Sequence, residues 1–141
     1  MNKTTYPSYG HWLELGATTT RERWGQGGSH NHPMFGGGLV WLYRQLAGMQ
    51  ADPQNPGYRH IIFRPQPVAD MEYVNYLNRT PLGEAGIAWR KGTGRFSAEI
   101  TVPVGSTATV YLPAGSRKAV RESGRKPKRC VGSRPSPAHR G

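Results

Sequence analysis

Between residues 16 and 38 the chain gathers one carboxylate, one indole, two imidazoles, several hydroxyls and seven glycines. Glu22 can take or give a proton, the Trp24 face can lie against a sugar ring, and the glycines let backbone approach a ligand. A concave site that handles carbohydrate uses these groups. Thr19-Thr20-Arg21-Glu22 also fits a capping box, with Thr19 as N-cap and Glu22 reaching back from the third helical position. A capping box is followed by an apolar-periodic helix. Here it is followed by Arg23-Trp24-Gly25-Gln26-Gly27-Gly28. Each glycine costs a helix about 1 kcal/mol relative to Ala. The stretch therefore reads as an ordered loop, which favours the functional reading of Glu22 without removing the capping one.

His32 has two readings as well. It can cap the helix that follows, or exchange a hydrogen bond with a sugar hydroxyl. His30 and His32 do not make a metal site, because two imidazoles without a further ligand nearby do not complete one.

The elements that must position these groups can be read on either side. Residues 7–15 read as a short helix ending at Gly16, with Trp12, Leu13 and Leu15 as its buried side and Glu14 as an ordinary helical acid. A second helix starts at Asn31 or His32 with Pro33 in its first turn. Phe35, Leu39, Leu42 and Leu46 mark one of its faces, and Gly48 and the loop 52–57 end it. Trp41 and Tyr43 read as core or interface. Gly36, Gly37 and Gly38 in its first turn imply close approach of a neighbouring helix or a bound sugar.

Beyond Pro56 the period changes to two. Residues 59–63, 72–78, 86–91, 96–102 and 107–112 read as strands, with turns at 81–83, 92–94 and 104–106. Short, evenly spaced strands predict an antiparallel sandwich, with Trp89 and Phe96 in its core. A unit of about 55 residues is small for a self-sufficient core, so it is expected to lean on the helical part.

The wording of the glycine-rich stretch is more specific than its composition. Gly16-Ala17-Thr18-Thr19-Thr20-Arg21-Glu22-Arg23-Trp24, with Asn31-His32 opening a helix, resembles the C-terminal part of the bacterial α-L-rhamnosidases. Residues 6–10 and 58–65 resemble that family too, and the likeness covers residues 5–113. Arg21 departs from it, standing where the family has Trp.

The resemblance implies an α+β multidomain fragment. Residues 1–50 are expected to be closing helices of an α/α six-hairpin toroid, and 51–115 an incomplete C-terminal β-sandwich. It implies inverting hydrolysis of terminal α-L-rhamnose by a glycoside hydrolase, with Glu22 as general base and Trp24 and His32 lining the sugar site. It requires no cofactor and no metal. The partner acid lies far upstream in the family and has no counterpart here, so the isolated chain is expected to be inactive. The implied partners are rhamnose-containing glycosides or polysaccharides and the missing N-terminal part of the enzyme.

Charge must be placed before it is interpreted. The net charge is +11, and residues 116–141 hold nine of the 19 basic side chains and one of the eight acidic ones. The body is close to neutral, so no nucleic-acid partner is expected of it. The segment 116–141 reads as a basic, disordered tail, low in apolar residues and rich in Pro, and as a frameshifted or truncated end or a genuine basic arm. Cys130 is the only cysteine, so no intramolecular disulfide forms. No run approaches membrane-spanning length, and the N-terminus has no apolar signal-peptide core, which leaves the compartment open. Two rival functions remain from the sequence: a non-catalytic sugar-binding module, and a nucleic-acid binder acting through its tail.

Overall fold

A computed structural model describes residues 3–128. The chain divides into two compact units, Met1–Leu42 and Tyr43–Gly141.

The first unit opens with helix α1, Tyr9–Glu14. Ser8 is its N-cap and accepts from the His11 N–H at 3.0 Å. Gly16 follows it at φ +72°. Trp12 is buried and Leu15 half-buried, but Leu13 is 72% exposed, contrary to its expected place on the buried side. At about 100° per residue, Leu15 lies beside Trp12 on the helix surface and Leu13 turns away. A 3-10 turn Pro33–Gly36 then leads into helix α2, Gly37–Trp41. The core of this unit is aromatic. Trp12 and Trp24 lie with ring centroids 4.6 Å apart, Trp24 and Phe35 4.4 Å, and Tyr9 meets Trp24 edge-on at 5.4 Å.

The helical run starting at Pro33 covers the span read from the sequence but changes pitch twice. It widens into a π-helix, Leu42–Ala47, that ends at Gly48 with φ +85°. A Cβ on Gly48 would collide with the backbone of Arg64 and Pro65, so this glycine serves both the turn and a close approach.

In the second unit the strands are β1 Met49–Ala51, β2 His60–Phe63, β3 Tyr73–Thr80, β4 Gly83–Gly92, β5 Arg95–Thr101 and β6 Thr107–Val110. They form two three-stranded sheets, ordered β1-β2-β6 and β3-β4-β5. Three pairings are antiparallel, as expected. The fourth, β2 with β6, is parallel, with His60 opposite Thr107 and Phe63 opposite Val110. Strand β1 has no counterpart among the strands read from the sequence.

The core of this unit combines Leu46, Ala47, Met49, Ile61, Phe63, Ala85, Ile87 and Trp89. The Trp89 indole N–H donates to the Leu46 carbonyl at 3.0 Å, so the sheet leans on the π-helix that precedes it. Phe96 is half-buried and its ring lies 5.7 Å from that of Trp89.

Residues 116–128 begin the stretch read as a patternless tail. They make a 3-10 turn, Arg117–Ala119, and a bridge between Glu122 and Arg125, both held by local hydrogen bonds. The rest of the tail, Cys130 included, lies outside the described residues.

Candidate functional site

Glu22 sits on a loop closed like a short ribbon. The Glu22 N–H donates to the Ser29 carbonyl at 2.8 Å, and the His32 N–H donates to the Thr20 carbonyl at 2.9 Å. The Thr20 hydroxyl donates to the His32 carbonyl at 2.6 Å, and the Thr19 hydroxyl donates to the His30 carbonyl. No helix begins at Thr19, so the capping box is not formed. The Glu22 side chain reaches forward instead, and its Oε2 accepts from the Ser29 N–H at 2.9 Å.

That bond depends on Gly28. Gly28 has φ +83°, and a Cβ there would come within 2.9 Å of the Glu22 Oε2. Only glycine combines this backbone conformation with this close approach. The Ser29 hydrogen bond holds the Glu22 carboxyl below its ordinary value of 4.5. Desolvation is the next influence and opposes the shift, while Arg23 and a protonated His32 add to it through space. The loop that carries Glu22 thus favours its ionised form.

His32 occupies the N-cap of the 3-10 turn, where its Nδ1 accepts from the Met34 N–H at 3.3 Å. In the neutral ring that bond leaves the proton on Nε2. The capping role and a donor role toward a ligand are therefore compatible. His30 is differently employed, with its Nε2 donating to the Gln26 carbonyl at 2.9 Å inside the loop. Among the described residues no group of three or more potential ligands could hold a metal ion.

Trp24 is half-buried in the aromatic cluster, and its carbonyl accepts from the Trp12 indole N–H at 2.9 Å. Most of its ring is spent on packing that anchors the loop to α1, and only its exposed part remains for a ligand. Arg21, between the hydroxyls and Glu22, is 8% exposed and forms no hydrogen bond or ion pair among the described residues. Sequence reasoning singled out Glu22, Trp24 and His32 but missed Gly28 and Ser29, which set the geometry of the carboxylate. A glycine followed by a serine at the end of a glycine-rich loop was the available signal.

Comparison with known proteins decides the family. Residues 1–46 match the family model of the bacterial alpha-L-rhamnosidase 6 hairpin glycosidase domain, and residues 48–126 that of the bacterial alpha-L-rhamnosidase C-terminal domain. The chain belongs to the bacterial α-L-rhamnosidase family.

An alpha-L-rhamnosidase of Streptomyces avermitilis is 30% identical over an alignment 125 positions long that covers 81% of this chain and 12% of that protein. The structure of an alpha-L-rhamnosidase from Dictyoglumus thermophilum matches with a TM-score of 0.71 at 42% identity, covering 82% of this chain and 13% of that one. The Streptomyces avermitilis enzyme in complex with L-rhamnose matches with a TM-score of 0.70 at 29% identity, covering 83% of this chain and 12% of that one. The chain thus spans about an eighth of the length of these relatives. Its helical unit corresponds to part of the six-hairpin domain and its two-sheet unit to the C-terminal domain. The second match runs to residue 126, past the point where the strand pattern fades from the sequence.

Proposed function

We propose that this chain works as the C-terminal part of an α-L-rhamnosidase that hydrolyses terminal α-L-rhamnose with inversion, with Glu22 as the general base. The observation that carries the reading is the geometry of the Glu22 carboxylate, whose Oε2 is held by the Ser29 N–H at 2.9 Å on the glycine-rich loop. Inversion needs two carboxyl groups with opposed tasks, about 6.5–9.5 Å apart: an acid that protonates the leaving oxygen and a carboxylate that activates water. A group whose pKa is pushed down suits the second task and not the first. The Ser29 N–H supplies most of that push. His32, with its proton on Nε2, would donate to a sugar hydroxyl, and the exposed part of Trp24 would meet an apolar sugar face.

The partner acid would come from a part of the enzyme other than this chain. The chain alone is accordingly expected to give no turnover of an aryl α-L-rhamnoside. The deciding experiment places this sequence in a full-length enzyme and compares Glu22→Gln with the parent. Gln keeps the size and can still accept from the Ser29 N–H, but it cannot take a proton. Turnover should fall by about 10²–10⁴-fold with rhamnose affinity retained. Near-parental turnover would remove Glu22 from the mechanism.

A further inference from the structure

The β3-β4-β5 sheet of the second unit presents an outward face with an open cavity of about 400 Å3, within the range of small-molecule pockets, about 300–1,000 Å3. The register explains its shape. Ala88 on the central strand lies between Asn75 on β3 and Glu99 on β5, and in the next row Arg90 lies between Tyr73 and Ser97. Ala88 is too short to fill the space between its taller neighbours, which stand about 10 Å apart across two strand spacings. The result is a trough with Ala88 as its floor. The Arg90 guanidinium, 5.3 Å from the centre of the Tyr73 ring, closes one end.

Its chemistry is specific. The side chains of Asn75, Arg90, Ser97 and Glu99 make no hydrogen bond among the described residues, so an amide, a guanidinium, a hydroxyl and a carboxylate all have capacity to spare. Tyr73 is 59% exposed and adds an aromatic surface. One cation and one anion leave the trough near neutral. A nucleic acid, whose binding is driven by neutralised phosphates, gains little there. A second copy of the chain would have to take the carboxylate and guanidinium out of water, which is costly unless they pair closely across the contact. An uncharged, hydroxyl-rich ring satisfies both the hydrogen-bonding groups and the aromatic face.

We propose that this trough is a saccharide-binding subsite, separate from the Glu22 loop and without a catalytic role. It takes one neutral pyranoside ring, the hydroxyls bonded by Asn75, Ser97 and Glu99 and an apolar face laid toward Tyr73. The proposal goes beyond the hydrolase reading and does not depend on it.

The test is an amide-shift titration of the 15N-labelled 141-residue chain with methyl α-L-rhamnoside and, separately, methyl α-D-glucoside, up to a concentration on the order of 50 mM, suited to weak binding. At least one sugar should move the amides of residues 73–75, 88–90 and 97–99 in a saturable way. Glu99→Gln and Tyr73→Ala, both at exposed strand positions, should each weaken that response about tenfold or more while the rest of the amide spectrum stays in place. If neither sugar moves these rows, or if the response survives both substitutions, the proposal is overturned. Shifts of these rows on concentrating the protein alone would assign the face to a second copy and overturn it too. Shifts confined to residues 16–32 would speak for the Glu22 loop and against this trough, so the two readings fail separately.

Discussion

At the scale of single residues, the loop is built around one carboxylate and the glycine that makes room for it. Gly28→Ala would force a Cβ into the space of the Glu22 Oε2 at a positive φ that alanine resists. The expected outcome is release of the carboxylate from the Ser29 N–H, with its pKa moving back up toward 4.5, read by carboxyl chemical shift against pH. An unmoved titration would mean the loop adapts without losing the bond. The same shift has a consequence for stability. A carboxyl whose pKa is depressed by folding contributes stability above its unfolded pKa, and that contribution is lost as pH falls through the folded value. Glu22 and Asp52, the latter held down by hydrogen bonds from Asn55 and Gln54, both carry this sign. Stability should decline on acidification below about pH 4.5, and Glu22→Gln should flatten part of that decline. Arg21 is a different matter. It is 8% exposed as a residue and forms no hydrogen bond or ion pair among the described residues, yet no fully buried side-chain nitrogen there is left unpartnered, so its guanidinium keeps contact with solvent while its stem is buried. It stands where the resembled motif has Trp. Arg21→Trp should therefore raise stability by about 1–3 kcal/mol through added apolar burial. A melting point that stays put or drops would show the guanidinium to be better solvated than its burial suggests.

At the scale of elements, the Trp89 indole joins a strand to a helix end. Trp89→Phe would leave the buried Leu46 carbonyl without its donor, at a cost of about 1–3 kcal/mol. A lower denaturation midpoint with an unchanged slope is expected, since only the stability of the folded state changes. Strands β2 to β6 were legible because their side chains alternate and because turn residues separate them. Strand β1 was not, since three residues after a helix leave no room for alternation. Alternation also carries no direction, so nothing in the pattern could reveal that β2 and β6 run parallel. The helix from Pro33 was legible in span but not in pitch, because its 3-10 and π turns depend on packing rather than on apolar spacing. The candidate site divides in the same way. Glu22, Trp24 and His32 stood out by type, whereas the Glu22 to Ser29 bond joins residues seven apart across a glycine loop that has no period to read.

At the scale of the whole chain, the two units differ in how completely each encloses its own core. The second brings Leu46, Ala47, Met49, Ile61, Phe63, Ala85, Ile87 and Trp89 out of water within itself. Among its described residues the first buries only Trp12 and Arg21 to that degree, while Leu13, Met34, Leu39, Val40 and Trp41 remain 72, 58, 48, 48 and 46% exposed. A unit of about forty residues is near the lower limit for independent folding, and one that leaves most of its large apolar side chains in water falls short of offsetting chain entropy. Residues 43–128 made alone should therefore melt cooperatively, with protected amides in β2, β4 and β5. Residues 1–42 alone should show no cooperative transition and no protected amides around Trp12. Calorimetry and hydrogen exchange on the two pieces test this directly. A cooperative melt of residues 1–42 would mean that the aromatic cluster of Tyr9, Trp12, Trp24 and Phe35 suffices as a core. The Glu22 loop would then be preformed wherever this segment occurs. The expected failure would instead make the geometry of the Glu22 carboxylate depend on whatever covers Leu39, Val40 and Trp41.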